Sequence, residues 1–126
     1  MLYMFLLYWD ETNPENPDKV IEEHLAFTEA VSAKGAYVCS EAIGSAGNAT
    51  TVRVRRGETL ITDGPYAETK ETMGGFYILD CKDLDEALEY AARIPDARSS
   101  GVEVRPVMHV PDWPYTFAAD RQRSPM

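Results

Sequence analysis

Residues 63–80, Asp63-Gly-Pro-Tyr-Ala-Glu-Thr-Lys-Glu-Thr-Met-Gly-Gly-Phe-Tyr-Ile-Leu-Asp80, join a turn to a strand. Gly64 tolerates any backbone region, and Pro65 fixes its own torsion while pushing Gly64 toward an extended one. A charged connection follows with Glu68, Lys70 and Glu71, and Gly74-Gly75 then opens Phe76-Tyr77-Ile78-Leu79. Aromatic and branched residues without alternation predict a strand apolar on both faces. Such a strand needs a covering layer on each side.

Working outward, Leu2 to Trp9 is a second run with no polar face. Asn13 to Pro17 breaks the chain, with Asn16 as N-cap and Pro17 at the first helical position. The helix is expected to run to about Lys34, where Gly35 ends it. At about 100° per residue, Val20, Ile21, His24, Leu25, Phe27, Thr28 and Val31 share one arc, so His24 belongs to the core-facing side. Ala36 to Ile43 predicts a weaker strand, and residues 44–50 a flexible loop. Residues 51–56 alternate, with Val52 and Val54 on one face. Gly57-Glu58 turns them back into residues 59–62 as a hairpin that delivers Asp63.

Past residue 80, Asp83 with Glu86 forms an acidic capping box for a second helix. Its expected stripe is Leu84, Ala87, Leu88, Ala91 and Ala92, ending near Arg93 and Pro95. Residues 102–107 are a last strand, which Pro106 places at an edge or near its end. One domain is expected over residues 1–110. The tail, 111–126, is expected to be partly ordered, with an aromatic clip at Trp113 and Tyr115 and a frayed end from Arg121 to Met126. The order of elements is that of an α+β, ferredoxin-like sandwich with a hairpin inserted midway. Two strands apolar on both faces, in a chain with no elements left to cover the second face, predict a homodimer with sheets packed face to face.

At 126 residues the chain can bury a core without staples. A formal charge of -9 argues against a direct nucleic-acid partner and against an anionic membrane surface. The apolar opening is too short to span a bilayer and lacks the marks of a secretion signal, so a cytoplasmic location is expected. Cys39 and Cys81 sit in apolar strand surroundings and, with two distant histidines, lack zinc-ligand spacing, so no metal site is expected. No phosphate-loop or dinucleotide spacing calls for a cofactor.

Asp63-Gly-Pro-Tyr-Ala-Glu-Thr-Lys-Glu71, Gly74-Gly-Phe-Tyr-Ile-Leu-Asp80 and Val102-Glu-Val-Arg-Pro106 resemble the signature of the YCII-related family, in its DGPF branch. The opening residues 2–11 and the His24-Leu-Ala-Phe27 segment resemble it too, so the match spans about residues 2–107. Tyr66 stands where that branch usually carries phenylalanine. The resemblance implies a dimeric α+β barrel like that of muconolactone isomerase. It also implies a histidine and aspartate active pair, carried here onto His24 and Asp63, for cofactor-independent lyase or isomerase chemistry on a small molecule. The family's frequent gene context implies an alternative, a non-catalytic module for a small ligand or partner, linked to extracytoplasmic-function sigma factors.

Each candidate has a plainer reading beside the functional one. His24 suits general acid or base chemistry, or is a core histidine bonded to a carbonyl. Asp63 orients the ring, or binds backbone amides in its own turn. Gly64, Pro65, Tyr66, Lys70 and Arg105 are the candidate ligand-binding set. Tyr66 offers a hydroxyl or simply fills space, and Lys70 with its glutamates is a flap or a solvated ion-pair cluster. Arg105 binds a carboxylate on a substrate, or pairs across a dimer.

Overall fold

The computed structural model describes residues 1–117. The elements are β1 (Leu2–Asp10), α1 (Pro17–Ala33), β2 (Tyr37–Ala42), β3 (Thr50–Arg55), β4 (Glu58–Asp63), β5 (Glu71–Asp80), α2 (Leu84–Arg93), α3 (Asp96–Ser99) and β6 (Gly101–Pro106). A short 3-10 turn, Ala46–Asn48, precedes β3. The sheet order is β2-β5-β1-β6, with β3 and β4 as a separate two-stranded sheet. All pairings are antiparallel. This is the ferredoxin-like α+β arrangement expected from the sequence, with the hairpin set apart from the main sheet. The frayed end expected at residues 121–126 lies outside the described residues.

Local chemistry accounts for the element ends. Asn16 Oδ1 accepts the Asp18 amide at 2.9 Å with Pro17 in the first turn, and Gly35 (φ 75°) closes α1 in the left-handed region. Asp83 Oδ1 accepts the Glu86 amide at 2.9 Å, while Glu86 reaches back one residue further than the usual box, to the Lys82 amide. The hairpin turn falls at Arg56-Gly57, both with positive φ, which matches the right-handed twist of the strands they join. Gly75 permits the close approach of β2: a Cβ there would lie 2.7 Å from the Glu41 carbonyl oxygen.

Tyr3, Phe5 and Leu7 of β1 and Tyr77 and Leu79 of β5 form the core with Phe27, Val31, Ala87, Tyr90, Ala91 and Ile94. The inward arc of α1 is narrower than the sequence suggests. Phe27 and Val31 are buried and His24 is half-buried, but Ile21 and Leu25 remain mostly exposed. On α2 the buried stripe is Ala87, Tyr90 and Ala91, continued by Ile94, and Leu84 and Leu88 stand at its margin. Tyr90 brings the larger apolar surface inward while the two leucines flank it, so the helix is rotated from the expected position. Val52 and Val54 are exposed, with none of the described residues packed closely over that face of the hairpin, while Arg53 lies over the Tyr66 ring at 5.0 Å. Alternate residues of β1 and β5, Met4, Leu6, Tyr8 and Phe76, point to the sheet face away from this core and are half-buried.

Cys81 is fully buried, and burial, with Glu86 and Asp80 nearby, pushes its thiol up to about 12. A thiol raised in the folded state stabilises the fold in full below the unfolded value and loses that contribution as pH rises toward the folded value. Between roughly pH 9 and 12 the wild type is expected to lose about 1 kcal/mol per pH unit more than a Cys81→Ala variant. Urea unfolding of both proteins across that range measures the difference, and parallel curves would contradict the expectation.

Candidate functional site

Helix geometry fixes the first residue of the site. His24 lies one turn before Phe27 and Thr28 on the inward side of α1, so the burial of Phe27 and Val31 against the sheet aims the imidazole at β5. Its Nδ1 lies 2.8 Å from the Tyr77 hydroxyl, and its Nε2 lies 2.8 Å from Asp96 Oδ1. Asp96 is the first residue of α3 and the one buried charged residue among those described, at 7% exposure. A buried carboxylate needs a partner, and the imidazole supplies it.

The acceptor at Asp96 assigns a proton to Nε2, so in the neutral ring Nδ1 accepts from the Tyr77 hydroxyl. Thr28 Oγ1 donates to the His24 carbonyl at 2.8 Å and lies 3.3 Å from the Tyr77 oxygen. A second arrangement is therefore available to a protonated ring: Nδ1–H donates to Tyr77, whose own hydrogen turns to Thr28 Oγ1. Both protonation states of His24 keep both ring nitrogens bonded. Burial holds the Tyr77 phenol above its ordinary value, opposed by the Thr28 bond, so it stays a neutral hydroxyl through this exchange.

One flank of this arrangement is open. A cleft of about 360 Å³ is lined by His24 and Asp96 together with Trp9, Glu11, Ile43, Thr72 and Met73, among others. Tyr77 does not line it and acts from behind the ring. The cleft has room for a small molecule against the His24–Asp96 pair.

The sequence-derived candidates are distributed differently from expectation. The partner of His24 is Asp96 and not Asp63. Asp63 is exposed at the end of β4, opposite Thr50 in the hairpin ladder, and lines neither this cleft nor its neighbour. The hairpin's separation from the main sheet is what removes Asp63 from the helix. Gly64 (φ 118°) receives hydrogen bonds from the Thr51 hydroxyl and gives its own amide to Ala49, both at 2.8 Å. Gly64, Pro65 and Lys70 line an adjoining cleft of about 480 Å³ that shares Glu11 and Thr72 with the first. Lys70 stands 3.7 Å from Asp10, whose carboxyl is held below its ordinary range chiefly by hydrogen bonds from Thr12. Tyr66 is exposed under Arg53 and lines a third, wider cleft of about 890 Å³ beside the hairpin. Arg105 is exposed on β6, 3.9 Å from Glu103, which also accepts the Tyr8 hydroxyl at 3.1 Å.

Asp96 was not singled out by the sequence reading. Its signal is faint: an aspartate after Ile94-Pro95, where an apolar helix has just ended. Only the topology, which lays α1 and the end of α2 on the same sheet face, brings it to a histidine 72 residues earlier.

Comparison with known proteins gives the family of the chain. A structure of 5-chloro-2-hydroxyhydroquinone dehydrochlorinase from Burkholderia phenoliruptrix AC1100, in complex with 2,5-dihydroxybenzoquinone, is similar with a TM-score of 0.47 and 18% identity, over 87% of this chain and 96% of that one. An uncharacterised protein of Rhizobium meliloti (strain 1021) is 38% identical over 120 residues, covering 85% of this chain and 92% of its own length. The model of the YCII-related domain matches residues 1–113. The chain belongs to the YCII-related domain family.

Proposed function

We propose that the protein is a small-molecule enzyme of lyase or isomerase type in which the His24–Asp96 pair moves a proton at the wall of the 360 Å³ cleft. The carrying observation is the bonding of His24: Asp96 and Tyr77 each sit 2.8 Å from one ring nitrogen, and Thr28 lets Tyr77 serve the ring in either charge state. Because Tyr77 covers Nδ1 from behind the ring, a substrate proton is taken up on the cleft side by the Asp96 carboxylate and returned by the same route, while the Nε2–H bond from His24 orients that carboxylate and stabilises its charge before the transfer. The surrounding Trp9, Ile43 and Met73 provide an apolar wall suited to a small cyclic body, and Thr72 and Ser45 offer hydroxyls to orient it.

The chemistry required is abstraction or return of a proton at an activated carbon, and it is measurable without knowing the natural substrate. A panel of small cyclic ketones, hydroxyquinones and lactones incubated in D2O with the protein is expected to show loss of proton signal at the activated carbon. If no member of a panel shown to bind in the cleft exchanged or reacted, the reading would give way to a binding module. The sigma-factor link is implied by the family resemblance alone, and the cleft geometry favours the enzyme.

The homodimer belongs to the same reading. Its support is the sheet face away from the helices, which carries Met4, Leu6, Tyr8 and Phe76, with Arg105 beside Met4 and Glu103 beside Leu6 on β6. Sedimentation equilibrium is expected to give twice the chain mass. A Leu6→Glu variant, placing a charge at the centre of that face, is expected to sediment as a monomer, and a wild-type monomer would remove the dimer from the reading.

A further inference from the structure

The His24–Asp96 contact joins a long helix to a four-residue one, and a helix that short has little hold of its own. What sets its distance from α1 lies just outside the cleft. Arg98 follows Asp96 by two positions on α3, and Glu23 immediately precedes His24 on α1. The Arg98 guanidinium gives Nη1 to Glu23 Oε2 at 2.5 Å and Nη2 to Glu23 Oε1 at 2.8 Å. Its Nε and Nη2 also reach Glu15 Oε1 at 3.1 and 2.6 Å. Glu15 is anchored in turn, its amide donating to Asn13 Oδ1 at 2.8 Å in the connection between β1 and α1.

We propose that Arg98 is a positioning residue for the His24–Asp96 pair: clamped between Glu15 and Glu23, it fixes α3 against α1 at the separation that keeps Nε2 and Oδ1 in contact. The inference rests on the acid–base reading of that pair and adds to it the part that sets its geometry. Isolated surface ion pairs contribute little stability. This one differs in form, because a planar fork engages both oxygens of one carboxylate and a second carboxylate besides, which fixes direction as well as distance. The Glu23 carboxyl is held below its ordinary range, first by its hydrogen bonds from Arg98. Among the described residues, hydrogen bonds and ion pairs between α3 and α1 are the His24–Asp96 bond and this clamp to Glu23.

A clamp and a general charge effect give different results on one observable. The charged and titratable groups facing His24 are Asp96 from α3, Tyr77 from β5, Glu11 from the end of β1 across the cleft, and Glu23 on its own helix. Removing the Arg98 charge leaves all of them in place. A clamp that has been released, however, lets Asp96 withdraw and exposes the Nε2 proton to solvent.

The test uses full-length protein labelled with 15N histidine, carrying His109→Gln so that His24 alone reports. The wild-type background is expected to show a Nε2–H resonance protected from solvent exchange, and Asp96→Ala to lose it. Arg98→Met is expected to speed that exchange at least tenfold while the far-ultraviolet circular dichroism stays unchanged. Arg98→Lys, which keeps the charge but not the fork, is expected to fall nearer to Arg98→Met than to the parent. Glu23→Gln, a milder change on the opposite helix, is expected to accelerate exchange in the same sense and provides the readout should Arg98→Met unfold. Wild-type exchange rates in Arg98→Met, or in Glu23→Gln if that is the variant read, would overturn the clamp while leaving the pair intact. An Asp96→Ala protein that retained the protected proton would overturn the pair itself, and the acid–base reading with it.

Discussion

Replacing Phe5 with alanine is expected to lower the free energy of unfolding by about 3–5 kcal/mol, the range for removing a fully buried aromatic ring. Phe5 is 0% exposed at the middle of β1, opposite Tyr77 on β5 and Val104 on β6. No neighbour is free to fill the space, because β1 is hydrogen-bonded on both sides. The effect should also reach the site, since the cavity would open beside the strand residue that holds His24 Nδ1. Urea unfolding gives the stability, and a loss below about 1.5 kcal/mol would show that the core relaxes around the gap. The milder Phe5→Leu change retains most of the apolar volume and serves as the comparison.

His24→Ala is expected to reduce proton exchange or turnover on any compound the wild type processes by a factor of about 10²–10⁴, the usual contribution of a positioned acid or base. Its cost in stability follows from Asp96. Without the imidazole, a carboxylate at 7% exposure is left without the partner that compensates its burial, which costs about 1.5–3 kcal/mol. The His24→Ala/Asp96→Ala double variant removes the stranded charge and is expected to be more stable than His24→Ala alone. A double-mutant cycle of unfolding free energies measures this coupling. A coupling near zero would mean that the two groups do not compensate each other.

The fold was legible because its information is local. Doubly apolar strands, the Asn16-Pro17 and Asp83 helix starts and the Gly35 stop each reflect a constraint within a few residues, and each is found in place. His24 was legible for the same reason, as a polar residue on an apolar arc. The rotation of α2 was not, because Tyr90 and Leu88 compete for the core and tertiary packing decides between them. The identity of the carboxylate beside His24 was less legible still. Asp63 stood out through its glycine–proline turn, but that turn serves a hairpin lying apart from the main sheet. Asp96 gains its importance only from a contact across the fold, and a four-residue helix has no periodicity to announce it.

The most direct measurement is chemical rescue in the deuterium-exchange assay. With a compound on which the wild type is active, exchange should be lost in His24→Ala and return in proportion to added imidazole, which can enter the space left by the ring and restore the hydrogen bond to Asp96. Equal exchange rates in the wild type and in His24→Ala, unaffected by imidazole, would contradict the proposal that the His24–Asp96 pair moves the proton.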